Sequence, residues 1–162
     1  PISHVLSLSL NCFLCICLGR LKAEENPRRI RSFVKRAGRM TPSQEHALEH
    51  YWPRYGLQLS QGLLDFELLF GNNHPVIMEI GFGMGRSLVD MAAAQPNSHF
   101  IGIDVHKPGV GGLLQLMEER DVGNISVYCH DAVEILRDCI PDECLDTVQI
   151  FFPDPENVTV LG

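Results

Sequence analysis

From Pro75 onward the chain alternates between short apolar runs and longer segments whose apolar residues recur at helical spacing. The runs at 75–80, 99–104, 125–129 and 145–152 are of strand length and rich in β-branched and aromatic side chains. The segments at 86–95, 109–120 and 131–138 read as amphipathic helices, and Pro96, Pro108, Gly123 and Pro141 punctuate the series. Strands alternating with helices in this way imply right-handed crossovers and an α/β fold, a mostly parallel sheet with helices on both faces. Upstream, Thr41-Pro42-Ser43-Gln44 predicts a helix start, with Thr41 as N-cap and Pro42 in the first turn, running to about His50. Asp65 to Phe70 is a short apolar stretch before the break at Gly71-Asn72-Asn73.

The first strand breaks into Gly81-Phe82-Gly83-Met84-Gly85, and the second ends on Asp104. Glycines at alternate positions let a ligand approach the backbone where a Cβ would collide. An acid ending the second strand can accept hydrogen bonds from ribose hydroxyls. A dinucleotide loop has its third glycine where this chain has Arg86, which argues against a nicotinamide-dependent dehydrogenase. Glu79, just before the turn, is hostile to a pyrophosphate and suits a cation. S-adenosylmethionine carries an ammonium and a sulfonium and no phosphate, so Glu79, Gly81, Gly83 and Asp104 read as its site. The competing reading is a plain structural turn. Asp131 and Asp154 follow the third and fourth strands, so four strands end in four carboxylates at the ligand-binding edge. Asp131 also suits the N-cap of the helix that follows it. Phe82 and Met84 read as packing residues beside the turn. His106, Lys107 and His130 border the site without a role.

The net charge of −7 is unevenly spread. Residues 20–39 hold eight of the thirteen basic side chains and only two of the twenty acids. A basic arm ahead of an acidic body points to a polyanion, although a solvated arginine-rich linker gives the same composition. Residues 1–19 are apolar and almost uncharged, without the basic start of a signal peptide and marginal in length for a membrane span. They read as a leader foreign to the domain, with a membrane anchor as the alternative. Cys12, Cys15 and Cys17 lack a second ligand pair at zinc spacing, so no metal is expected. The six cysteines do not make a disulfide framework, which suits a reduced, cytoplasmic setting.

Several blocks together resemble the bacterial-type tRNA (guanine-N7-)-methyltransferases. They are Arg29 to Arg36, Gly38 to Thr41, Gln44 to Glu49, Glu79 to Gly85, Gly102 to His106, Pro108 to Gly111, His130 to Leu136, and Phe151-Phe152-Pro153-Asp154-Pro155. The resemblance covers roughly residues 28–155. It implies the Rossmann-like fold of class I methyltransferases, here with the first four strands. It also implies S-adenosylmethionine contacts at Glu79, Asp104, Asp131 and Asp154, with Asp154 as the catalytic position. The implied reaction is methylation of a guanine N7 in the variable loop of tRNA, gripped by Arg28, Arg29, Arg31, Lys35, Arg36 and Arg39. No DNA and no membrane partner are expected.

The resemblance ends after Pro155, where the family continues with Trp and a basic segment and this chain reads Glu156 to Gly162. The expected layout is a leader at 1–27, a basic arm and helical segment at 28–74, the cofactor half of the domain at 75–155 and a non-family tail at 156–162. On this reading the chain is a truncated member, and the strand containing Val148 to Phe152 is left as an exposed edge. Three readings therefore compete. One is the tRNA methyltransferase, one is a methyltransferase of the same fold with another acceptor, and one is an inactive fragment keeping only cofactor or RNA binding.

Overall fold

The computed structural model describes a strand at residues 6–9 and residues 39–150. The elements in chain order are β1 (Leu6–Ser9), α1 (Pro42–Tyr55), β2 (Gly56–Leu57), a 3-10 turn (Leu59–Gln61), α2 (Phe66–Phe70), β3 (Val76–Ile80), α3 (Arg86–Ala94), β4 (His99–Ile103), α4 (Lys107–Glu119), β5 (Ile125–Tyr128), α5 (Ala132–Asp138) and β6 (Thr147–Ile150). They form one six-stranded sheet in the order β1-β6-β3-β4-β5-β2. Every pairing is parallel except that of β1 with β6. The chain steps from β3 through β4 to β5 in one direction, while β6 lies on the other side of β3. The boundary between β3 and β6 is thus the point at which the strand order reverses.

Alternate side chains divide the sheet into two apolar layers. Phe100, Ile125 and Val127 pack with Ala47, Leu88, Val89, Leu113 and Leu114 of α1, α3 and α4. Met78, Ile101, Ile103 and Tyr128 pack with Ile135, Cys139 and Leu145, and with Phe66 and Leu69 of α2. Each fully buried Leu, Ile or Phe side chain contributes about 1.5–3 kcal/mol. Helices therefore cover both faces.

Helix α1 begins where the sequence placed it. Thr41 Oγ1 accepts from Gln44 N–H at 3.3 Å, and Gln44 Oε1 accepts from Thr41 N–H at 2.9 Å. The helix continues past His50 to Tyr55, with Pro53 inside its last turns. Tertiary packing drives that extension: Tyr55 is buried against the α4 layer, and its hydroxyl donates to Glu118 Oε1 at 3.2 Å. The stretch from Asp65 is helical, capped by Asp65 on Leu68 N–H at 3.0 Å and ended by Gly71 at φ 74°.

Two strands escape a sequence reading. Gly56-Leu57 pairs with Val127-Tyr128, and at two residues it carries no periodicity. Leu6–Ser9 pairs antiparallel with Thr147–Ile150, so β6 is flanked on both sides and is not the exposed edge expected for it. An antiparallel partner at this position satisfies backbone groups that an edge would leave open.

Candidate functional site

β3, β4, β5 and β6 point the same way, so the positions following each gather at one edge of the sheet. Asp104 and Asp131 follow β4 and β5 there, as expected, whereas Glu79 does not follow β3 but is its penultimate residue. Asp154, with residues 28–36 of the basic arm, lies outside the described residues, whereas Arg39 is exposed two positions before the α1 cap.

The glycine loop connects β3 to α3. Gly81, Gly83 and Gly85 adopt φ of 78°, 61° and 77°, a region L side chains rarely enter. Gly85 is also the N-cap of α3, and a Cβ on it would stand 2.5 Å from Leu113 Cδ1. This explains the glycine that comes one position before Arg86. Phe82 is buried in the helical layer, as expected of a packing residue. Met84 is not a core residue, being 50% exposed beside the loop.

Asp104 fastens this loop. Its Oδ2 accepts from Gly83 N–H at 2.9 Å, and its Oδ1 accepts from His106 N–H at the start of α4, also at 2.9 Å. Each oxygen keeps a further lone pair, so the carboxylate can still accept from ligand hydroxyls. Gly109 completes the closure from behind, because a Cβ there would lie 2.1 Å from Gly83 O. His106 and Gly109 thus hold the loop, roles that the sequence alone did not assign to them.

Glu79 is 1% exposed. It sits between Met78 and Ile80, which face the α2/α5 layer, so its own side chain faces the α3/α4 side. Its register partner on β4 is Gly102, where a Cβ would press on Leu88 and Phe82. Glu79 Oε2 has no hydrogen-bond partner among the described residues. Burial alone raises this carboxyl from 4.5 to about 7. A buried carboxylate without a donor is costly unless something cationic or proton-donating meets it.

Asp131 caps α5 through Val133 N–H at 2.8 Å, and His130 Nε2 lies 2.5 Å from Glu134 Oε2. Burial pushes the Cys129 thiol up, with Lys107 pulling it the other way. Two clefts elsewhere hold none of these groups. One of about 260 Å³ is lined by Phe66, Asn72, His74 and Asp146, and one of about 470 Å³ by His46, Tyr51, Gln115 and Glu118. No helix among the described residues is long and apolar enough to cross a membrane.

The chain is 59% identical over 128 residues to a tRNA (guanine-N(7)-)-methyltransferase of Salmonella typhi, covering 79% of this chain and 54% of that protein. Proteins of the same name from Escherichia coli and Colwellia psychrerythraea are 58% and 57% identical over 79% of this chain, which covers 54% and 52% of their lengths. The chain thus spans about half the length of the curated relatives it matches. A solved structure, PKMT2 from Rickettsia typhi, aligns at TM-score 0.32 and 16% identity over 54% of this chain and 15% of that one, a likeness too slight to bear on fold or activity. A family model described as "Putative methyltransferase" matches residues 73–157, which run from just before β3 to beyond β6 and take in the glycine loop and all four carboxylates. That match spans more than half of the 162 residues, and the chain belongs to this methyltransferase family.

Proposed function

We propose that the chain binds S-adenosylmethionine at the β3–β4 edge and serves to methylate N7 of a guanine in the variable loop of tRNA. The observation that carries the cofactor assignment is Glu79, a buried carboxylate lacking a donor beside a loop of three left-handed glycines. The residues present fit that group: an acceptor for a cation at Glu79, an open backbone at Gly81 and Gly83, and free lone pairs on Asp104 for ribose hydroxyls. The tRNA assignment is supported by the names of relatives at 57–59% identity and by the basic arm. A tRNA substrate is in keeping with work in the cytoplasm.

When bound, S-adenosylmethionine supplies an electrophilic methyl group on a sulfonium. Guanine N7 has a free lone pair, so the protein has no proton to remove first. Its contribution is orientation and the exclusion of water. In this proposal Asp154 accepts from guanine N1–H and the exocyclic amine, turning N7 towards the methyl. Arg28, Arg29, Arg31, Lys35, Arg36 and Arg39 hold the RNA backbone, and Asp131 adds a cofactor contact at the third strand end.

The test is transfer of labelled methyl from S-adenosylmethionine to tRNA by the whole chain, with the position mapped by cleavage at N7-methylguanosine. Label at a variable-loop guanine is expected. Binding of S-adenosylhomocysteine with no transfer to tRNA would leave a binding fragment in place of an enzyme. Asp154→Asn is expected to lower turnover of the bound complex, and a loss confined to cofactor affinity would remove its substrate role.

A further inference from the structure

Gln149 is the register partner of Glu79 on β6, directly across the point where the strand order reverses. Ligands of open α/β sheets settle at such a point. Register partners on parallel strands project from the same face, and Val148, next to Gln149, packs on the opposite layer with Met78. Gln149 Oε1 is buried and has no hydrogen-bond partner among the described residues, the same condition as Glu79 Oε2. Native interiors rarely leave a polar atom unpaired, and here two acceptors occupy one register level. On the far side of Glu79 the register partner is Gly102, which offers no side chain. The complementary group is one that brings several N–H donors and a positive charge, namely a primary ammonium.

We infer that Gln149 is a ligand-binding residue that accepts, together with Glu79, hydrogen bonds from the α-ammonium of the cofactor's amino-acid arm. This rests on the S-adenosylmethionine reading above and extends it to a residue on β6. An ammonium donates to Glu79 Oε2 and to Gln149 Oε1 at once, satisfying both atoms and neutralising the buried carboxylate. Because both acceptors are provided by strands and not by loops, the position of the ammonium is set before binding.

The experiment is calorimetric titration of the whole chain with three probes. S-adenosylhomocysteine carries the ammonium and the carboxylate, S-adenosyl-3-thiopropylamine keeps only the amine, and methylthioadenosine has neither. Gln149→Leu is expected to weaken the first two by about tenfold and to leave methylthioadenosine within about twofold. Gln149→Glu, which keeps an acceptor and removes the amide donors, is expected at about pH 8 to bind the amine probe more tightly than Gln149→Leu does. Equal weakening of all three probes by Gln149→Leu would make Gln149 structural and overturn the inference. Loss of amine binding in Gln149→Glu would mean that the amide acts as a donor to Glu79, which also overturns it. Failure of the unaltered chain to bind S-adenosylhomocysteine would instead sink the cofactor reading itself.

Discussion

The carboxylate of Asp104 accepts from the backbone N–H of Gly83 at 2.9 Å across 21 residues of chain. Its other oxygen accepts from His106 N–H. One side chain thus joins the glycine loop after β3 to the first turn of α4, and two backbone donors fix its orientation. Asp104→Ala is expected to lower stability by about 1.5–3 kcal/mol through the loss of charge-assisted bonds. It should also weaken S-adenosylhomocysteine by at least about tenfold. Urea unfolding and calorimetry read the two effects separately. Asp104→Asn keeps one acceptor and places an amide N–H against a backbone N–H, so its losses should fall between those of the native chain and Asp104→Ala.

Glu79 makes stability depend on pH in a direction opposite to that of a salt-bridged acid. Its carboxyl titrates at about 7 in the folded chain against 4.5 when exposed, because burial penalises the charge. Between those values the folded state holds a proton that the unfolded state has released. The stabilisation is complete below the unfolded value and is lost as pH rises through the folded one. Urea unfolding at about pH 5 and pH 8 should show the native chain losing on the order of 2–3 kcal/mol. Glu79→Gln should not show that loss. An unchanged slope in the variant would assign the effect to another group.

Gly109 has no space for a methyl group, since a Cβ would lie 2.1 Å from Gly83 O, a backbone atom that cannot rotate away. Gly109→Ala should displace the glycine loop and reduce cofactor affinity by about tenfold or more, with about 1–3 kcal/mol of destabilisation. Gly123→Ala is the control, because nothing lies within 4 Å of its Cβ position. Equal behaviour of the two variants would remove Gly109 from the loop's support.

The basic arm predicts an electrostatic signature. Association with tRNA should weaken steeply with salt. Neutralising Arg36 and Arg39 should flatten the slope of log K against log salt by about 0.7–0.9 for each phosphate no longer neutralised. Calorimetry with S-adenosylhomocysteine should be unaffected by the same changes. A slope that does not move would exclude the arm from the RNA interface.

Much of the candidate site was legible along the chain because it is written in short spacings. The glycines at 81, 83 and 85 and the acids at 79, 104 and 131 each mark a strand end, and strand ends follow from local alternation. The cap at Thr41 was equally local, needing only Gln44 three residues on. The end of α1 was not, because the helix expected to stop at about His50 runs on to Tyr55, which is buried against α4. Gln149 was missed for a related reason: inside an apolar strand a glutamine has no distinguishing pattern, and its meaning comes from the strand beside it.

Sequence by itself determined the order of the elements from β3 to β6, the glycine turn after β3 and the carboxylates beside it, all of which depend on neighbours a few residues apart. Tertiary structure decided what those pieces meet. It set Glu79 level with Gln149 across the β3–β6 boundary and brought Gly109 against Gly83. It also laid Leu6–Ser9 along β6 and turned Asp104 onto the glycine loop. The physical reason is that register and strand order arise from pairing between distant segments, selected by which face each strand must bury. No spacing within a single segment encodes that choice.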